Sequence, residues 1–151
     1  MKRLLILCLM LGVALSVACV YAQSGLNIAG AFTPRYRELP EATETIVSKS
    51  RLRNLSLSVY HTLSITGHPE IAAELEDMVM RDGAKARSKE VRYASGHLYY
   101  GFYALPPVDG LNRYILYLNG HLKSSDRIML LYIEGKASIE DVKKLINPKR
   151  Q

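Results

Sequence analysis

Cysteine is scarce in this chain, and tryptophan is absent. The two cysteines, Cys8 and Cys19, both lie in the first 22 residues. A chain that loses this segment has no thiol, which excludes a disulfide, a cysteine nucleophile and a cysteine-ligated metal site. Small eukaryotic secreted domains are typically rich in disulfides, so the lack of cysteine favours a bacterial source.

Recognisable catalytic and cofactor-binding motifs are missing as well. The sequence has no P-loop, no glycine-rich dinucleotide-binding fingerprint, no His-x-x-x-His pair and no Gly-x-Ser-x-Gly elbow. Its four histidines are too far apart in sequence to form a local metal-ligand pair: His61, His68, His97 and His121. We therefore predict no cofactor, no metal and no enzymatic activity. A small hydrolase is the alternative, which requires His61, His68 or His97 to converge with a carboxylate in a cleft.

The first 22 residues have the three parts of a secretory signal peptide. Lys2 and Arg3 form a basic start, residues 4–20 form an uncharged apolar run, and a small-residue cut site follows. We expect cleavage between Ala22 and Gln23. Removing 22 of the 151 residues leaves 129, and losing the two basic residues lowers the formal net charge from +6 to +4. A membrane anchor is the alternative, but the apolar run is near the lower limit for spanning a bilayer of about 30 Å.

Lipid attachment is a second alternative for the same segment. Cys19 follows Ala18 near the end of the apolar run, as lipid attachment requires. The usual lipobox has an aliphatic residue three positions earlier, where this chain has Ser16. We therefore predict a periplasmic or secreted protein rather than an outer-membrane lipoprotein. It contacts the membrane only if Cys19 is lipidated.

Strand patterns organise the rest of the chain. We predict an irregular lead-in over residues 23–42, a single α+β domain over 43–147 and a tail over 148–151. Residues 55–66 alternate apolar and mostly hydroxyl-bearing side chains, which predicts a strand with one packed and one wetter face. Residues 127–134 are apolar on both faces, which indicates a central or doubly covered strand.

Two amphipathic helices are predicted, at residues 69–82 and 139–146. The first carries four carboxylates that we assign to its wet face: Glu70, Glu74, Glu76 and Asp77. The pair Ser95-Gly96 predicts the turn of a β-hairpin. The predicted fold class is α+β, with an antiparallel or mixed sheet of about five strands and both helices packed on one face.

Basic residues cluster at 49–53 and 85–92. Such clusters bind phosphate polymers, or they are simply solvated loops between strands. Because an exported protein rarely meets nucleic acid, we predict no nucleic-acid partner. Anionic envelope surfaces are the alternative counterpart of these clusters.

Tyrosine is the most distinctive residue of the predicted strands. If Tyr60, Tyr99, Tyr103 and Tyr117 share the wetter face, the sheet presents a tyrosine platform that suits recognition. Its ligand is then an unknown protein or peptide partner, since a glycan site normally uses tryptophan as well. The alternative is that the tyrosines are cross-strand pairs that stabilise the sheet.

Several short segments resemble a family of small exported proteins of unknown function from Bacteroidetes-type bacteria. They are Leu63-Ser64-Ile65-Thr66, Met80-Arg81-Asp82-Gly83, Leu98-Tyr99-Tyr100-Gly101-Phe102-Tyr103, Pro106-Pro107, Asn112-Arg113-Tyr114 and Tyr132-Ile133-Glu134-Gly135. The C-terminal stretch, from residue 133 to 145, also resembles an envelope-associated family of unknown or regulatory role. These are framework segments, so the resemblance implies no functional residue.

These observations favour a non-enzymatic binding or interaction module of the bacterial envelope. The alternative is a regulatory envelope protein linked to extracytoplasmic signalling, with the small hydrolase third.

Overall fold

The structure of the chain is a computed structural model that describes residues 23–148. The expected signal peptide, the cut after Ala22, the lipidation alternative at Cys19 and the last three residues of the predicted tail lie outside the described residues. None of the helices within residues 23–148 has the length and apolar content that crossing a bilayer demands.

One antiparallel sheet of six strands organises the described residues. The strands are β1 (Ala42–Ile46), β2 (Leu57–Thr66), β3 (Ser88–Ala94), β4 (His97–Val108), β5 (Leu111–Asn119) and β6 (Arg127–Gly135). Their order across the sheet is β1-β2-β6-β5-β4-β3, and every neighbouring pair is antiparallel. The predicted α+β class is confirmed, with one strand more than the five expected.

Two tight turns build the β3-β4-β5 meander. Ser95 and Gly96 join β3 to β4, and Asp109 and Gly110 join β4 to β5. All four residues have positive φ, from 52° to 79°. Two consecutive left-handed residues match the twist of a two-residue hairpin. The hairpin that the sequence predicts at Ser95-Gly96 is therefore present.

Four α-helices and four 3₁₀ turns complete the described fold. The helices are α1 (Pro34–Arg37), α2 (Lys49–Leu52), α3 (Ala72–Gly83) and α4 (Ile139–Ile146), and the 3₁₀ turns are Asn27–Phe32, Arg53–Leu55, Pro69–Ile71 and Gly120–Leu122. At the start of α4, the Ser138 side chain accepts a hydrogen bond from the Asp141 backbone N–H at 3.2 Å. This N-cap satisfies a donor that the helix itself leaves free.

The sheet is covered on both faces, which corrects the prediction that both long helices lie on one face. Helix α3 packs on what we call the first face, with the 3₁₀ turn Asn27–Phe32 and α1. Helices α2 and α4 pack on the second face. The reason lies in the central strands: Leu130 and Tyr132 of β6 point to the first face, whereas Leu131 and Ile133 point to the second. A strand apolar on both sides needs a layer on each.

The N-terminal segment differs from the irregular lead-in that the sequence suggests. Ile28, Ala31, Phe32 and Tyr36 are all buried in the core of the first face. The segment contains a 3₁₀ turn and α1, so it forms part of the layer that covers the sheet. Its first backbone N–H groups are bonded by Asp82 of α3, which compensates for the shortness of the helical turns.

Candidate functional site

The four tyrosines of the predicted platform do not share a face. Tyr103 and Tyr117 point to the first face, where they are 3% and 0% exposed beneath α3. Tyr60 packs on the second face. Tyr99 lines a groove on the second face. The predicted platform is therefore not formed. The register of the sheet places even-numbered residues of β4 and β5 on the same face as Tyr60, so the odd-numbered Tyr103 and Tyr117 point to the opposite face.

Burial makes Tyr103 and Tyr117 part of the core. The Tyr117 hydroxyl donates to the Ala72 carbonyl of α3 at 3.3 Å. Burial raises the pKa of Tyr103 to about 12 and raises that of Tyr117 further above its ordinary value. These two side chains serve the alternative role that the sequence left open, which is to stabilise the sheet.

A row of partly exposed side chains crosses the second face where α4 ends. The register of the sheet aligns one residue from each of five strands: Ser64, Met129, Leu118, Tyr100 and Arg92. The neighbouring row contains Leu131, Leu116 and Phe102, which are buried in the second-face core. Because α4 ends at Ile146, the row that includes Met129 is left open to solvent.

An irregularity in β4 adds a second tyrosine to this row. The β3-β4 register shifts between Arg92 and Tyr93, so that Arg92 pairs with Tyr100 but Tyr93 pairs with Leu98. The Leu98 N–H donates instead to the Glu76 carboxylate of α3, at 2.9 Å. The extra residue at this bulge is Tyr99, and it lines the same groove as Tyr100. Bulges re-aim side chains in this way and are frequent beside binding sites.

We call the resulting depression the tyrosine groove. Its volume is about 290 Å³, and it is lined by Glu90, Arg92, Tyr99, Tyr100, Leu116, Leu118, Met129, Ile146 and Asn147. The lining from β5 and β6 is apolar, the rim from β3 is charged, and the end of α4 adds the apolar Ile146 and the polar Asn147. A small depression of mixed polarity, with tyrosine and methionine walls and a charged rim, suits one apolar side chain of a ligand beside a polar group.

Cations stand over both tyrosine rings of the groove. The Arg92 guanidinium lies 5.3 Å from the centroid of the Tyr100 ring, and the Lys123 ammonium lies 5.3 Å from that of Tyr99. Glu90 bonds both Arg92, at 2.9 Å, and Lys143, at 3.3 Å. The hydrogen bond from Lys143 is the main reason why the pKa of Glu90 is lowered. The carboxylate of the rim is thus already neutralised by two cations.

The four histidines lie outside the tyrosine groove. His61 is buried on the first face, as its place in the apolar stripe predicts. It lies 2.8 Å from Gln23 Nε2 and 2.7 Å from Glu44 Oε1, and it stacks on Phe32 with 3.9 Å between ring centroids. Burial lowers the pKa of His61, against the opposing effect of Glu44. This arrangement is typical of a satisfied core histidine.

The other three histidines each contact one carboxylate near the surface. The pairs are His68 with Glu70 at 2.9 Å, His97 with Glu76 at 3.3 Å and His121 with Asp126 at 3.1 Å. None of these three histidines lines the tyrosine groove. Within residues 23–148, no cluster of three histidine, aspartate or glutamate side chains is arranged to hold a metal ion.

The acidic residues of α3 hold the protein together rather than forming only a wet face. Glu74 bonds Arg35 and the Tyr36 hydroxyl, at 2.8 and 2.6 Å. Glu76, which is 9% exposed, bonds the β4 bulge. The prediction of a solvated row is therefore wrong for Glu76. Its partner lies 22 residues away in the sequence, so the helical pattern alone gave no sign of it.

Sequence reasoning found Tyr99 but missed the rest of the groove. Tyr100, Leu118 and Met129 meet only because three strands adopt one particular register. Adjacent residues of a regular strand point to opposite faces. The sequence alone therefore places Tyr99 and Tyr100 on opposite faces, and only the bulge brings them to the same groove. The one available signal was the methionine among the aliphatic residues of the stretch 128–131.

Comparison with known proteins places the chain in a family without assigning an activity. A model described as a family of unknown function (DUF6108) matches residues 15–146. A search of the curated proteins finds no match, and neither does a search of the solved structures. The sequence-based expectation of a family of unknown function is thereby confirmed, while a Bacteroidetes origin stays a prediction. Since the match spans most of its length, the chain belongs to the DUF6108 family.

Proposed function

We propose that this chain is a non-enzymatic binding module of the bacterial envelope. In this proposal, the tyrosine groove takes an apolar side chain from a peptide segment of a partner protein, next to an acidic group of the same segment. The observation that carries the proposal is the groove itself, which Tyr99 and Tyr100 line together with the partly exposed Leu118 and Met129. Tyrosine and methionine are enriched at recognition surfaces, because they provide large contact areas that adapt to a partner.

Charge favours an acidic partner segment. Arg92 and Lys123 lie over the two tyrosine rings, and Arg127 precedes Met129 by two residues and so extends the same face. Glu90 is the carboxylate of the groove lining, and it is bonded to two cations. The open end of the groove therefore has an excess of positive charge, which attracts an anionic ligand group.

The envelope part of the proposal rests on the N-terminal sequence. The basic start, the apolar run and the small residues before Gln23 are the features that an export system recognises. Isolation of the protein from periplasm or medium with Gln23 as its first residue supports export. Recovery of the unprocessed chain from the cytoplasm contradicts it. If the first residue of the isolated protein is a lipidated Cys19, the envelope location stands and a membrane anchor is added to it.

A peptide selection tests the groove directly. The protein, expressed as the full chain and purified after export, is used to select from a displayed library of random peptides. We expect the selected peptides to combine an apolar residue with a neighbouring aspartate or glutamate. Their affinities are then compared between the wild type, Tyr99→Ala and Lys123→Glu. Each substitution should weaken binding by about tenfold or more, as is usual for a contact at the centre of an interface.

Tyr93→Ala is the matched control. Tyr93 belongs to the same hairpin and is 55% exposed, but it does not line the groove. It should leave peptide affinity unchanged. The proposal fails if the selected peptides bind the Tyr99→Ala variant as tightly as the wild type, or if Tyr93→Ala weakens binding equally.

A further inference from the structure

The layers that cover the two faces of the sheet differ in charge. On the first face, residues 23–48 and 67–84 contain eight carboxylates and three arginines. The three arginines all form ion pairs: Arg35 with Glu74, Arg37 with Glu44 and Arg81 with Asp77. On the second face, residues 49–56 and 136–148 contain six basic and two acidic side chains. The layer on the first face is therefore acidic, and the layer on the second face is basic.

The basic side chains of the second face are mostly unpaired. Within residues 23–148, five of the six form no ion pair: Lys49, Arg51, Arg53, Lys136 and Lys144. Each is exposed. The sixth, Lys143, bonds Glu90. Of the two carboxylates, Asp141 accepts a hydrogen bond from the Ser138 hydroxyl at 2.9 Å. An unpaired group of five cations on one surface fits an extended anionic counterpart.

A cavity of mixed polarity opens beside two of these cations, Lys136 and Lys144. Its volume is about 440 Å³, and it lies between the 3₁₀ turn Arg53–Leu55 and α4. Its apolar lining comes from Leu55, Leu57, Ala137, Val142 and Leu145, and its polar lining from Asn54, Ser56, Lys136, Asp141 and Lys144. Leu55, at the edge of this cavity, is 45% exposed. The surface thus combines cations with an accessible apolar side chain.

We propose that the second-face surface formed by α2, the Arg53–Leu55 turn and α4 docks on an anionic phospholipid bilayer. The five unpaired cations contact the headgroup phosphates, and Leu55 enters the interface between headgroups and acyl chains. The positive charge of these five side chains would by itself attract any polyanion. The exposed Leu55 and the other leucines that line the cavity favour a lipid surface over a soluble polyanion. This contact is independent of the tyrosine groove and of any lipid on Cys19.

Binding to vesicles tests the proposal. The purified protein is mixed with sedimenting vesicles of phosphatidylcholine that contain about one third phosphatidylglycerol, and with vesicles of phosphatidylcholine alone. We expect binding to the anionic vesicles, with an affinity that falls as salt is raised. The double variant Lys136→Glu/Lys144→Glu should bind at least about tenfold more weakly. Both side chains are exposed and unpaired, so the fold should be retained, which circular dichroism checks.

The matched control makes the same change in charge on the other side of the sheet. Lys85 and Lys89 are also exposed, and Lys89 pairs with Tyr103 and so faces the first-face side of β3. The double variant Lys85→Glu/Lys89→Glu should therefore keep most of its vesicle binding. If the two double variants lose equal affinity for anionic vesicles, binding depends only on net charge, and the proposed docking surface is wrong.

Leu55 separates a lipid surface from a soluble polyanion. The variant Leu55→Ser keeps every charge, and it should weaken binding to anionic vesicles while leaving binding to inorganic polyphosphate unchanged. If the wild type binds polyphosphate but not anionic vesicles, or if Leu55→Ser binds vesicles as the wild type does, the lipid assignment is wrong.

Discussion

Asp82 provides a quantitative test of how the N-terminal segment is held on the sheet. Its carboxylate accepts three hydrogen bonds, and the residue is 5% exposed. Oδ1 accepts from the backbone N and the side-chain Nδ2 of Asn27, both at 2.8 Å, and Oδ2 accepts from the backbone N of Ile28 at 2.9 Å. These are the first N–H groups of the 3₁₀ turn, which have no partner within the turn itself.

The substitution Asp82→Ala removes the acceptor and leaves the donors in place. A buried donor without a partner costs about 1–3 kcal/mol. The Ile28 N–H is buried, whereas the Asn27 donors are partly open to water and lose only the roughly 0.5–1.5 kcal/mol of an ordinary hydrogen bond, so we expect the free energy of unfolding to fall by about 2–4 kcal/mol. That is a large part of the roughly 5–15 kcal/mol that stabilises a typical domain. The N-terminal segment should also become more susceptible to limited proteolysis than the sheet.

Urea unfolding, followed by circular dichroism, measures this loss. The matched control is Asp77→Ala on the same helix, whose carboxylate is 57% exposed and pairs with Arg81 at 2.9 Å. A surface pair of this kind contributes only about 0.3–0.5 kcal/mol. The reasoning is refuted if Asp82→Ala unfolds within about 0.5 kcal/mol of the wild type, or if Asp77→Ala loses as much.

Three further predictions concern the first face. Burial lowers the pKa of His61, so the unfolded chain takes up the proton first, and the free energy of unfolding should fall as pH drops through about 6.5. Urea titrations at several pH values should show a shallower fall for His61→Gln, and identical slopes would contradict this. A Cβ on Gly83 would overlap the Tyr103 ring, so Gly83→Ala should cost about 1–3 kcal/mol despite the better helix propensity of alanine. Tyr103→Ala should lower the free energy of unfolding by about 3–5 kcal/mol, because Tyr103 is buried, whereas Tyr99→Ala should lower it by less than about 1 kcal/mol. Similar losses for the two variants in urea unfolding would contradict the difference in burial.

Local pattern was sufficient for most of the secondary structure. The alternation of residues 55–66 predicted β2, which spans Leu57–Thr66, and the pair Ser95-Gly96 predicted a turn whose two residues have positive φ. The predicted helix at 139–146 has the bounds of α4. In each case, the determining contacts are within a few residues, so that periodicity and turn chemistry carry the information.

Contacts between segments that are far apart in the sequence could not be predicted from the local sequence pattern. Asp82 and Asn27 are 55 residues apart, and His61 and Glu44 are 17 apart. Polar side chains on a helix predict a solvated face only when nothing covers that face. Here the N-terminal segment and the β4 bulge cover part of α3, and its carboxylates are their anchors. The short N-terminal turns also lack a strong helical period, which explains why they read as irregular.

The assignment of the tyrosines to faces shows why the groove required the structure. Period-two reasoning works within one strand, but it gives no relation between the faces of different strands. That relation depends on register, and a shift by one residue exchanges the faces of a whole strand. The even-numbered Tyr60 shares its face with even-numbered residues of β4 and β5, which sends Tyr103 and Tyr117 to the core. The bulge then returns Tyr99 to the second face beside Tyr100. The Glu76 carboxylate bonds the Leu98 N–H at this bulge, so a buried acidic residue on the first face helps to position the binding surface that we propose on the second.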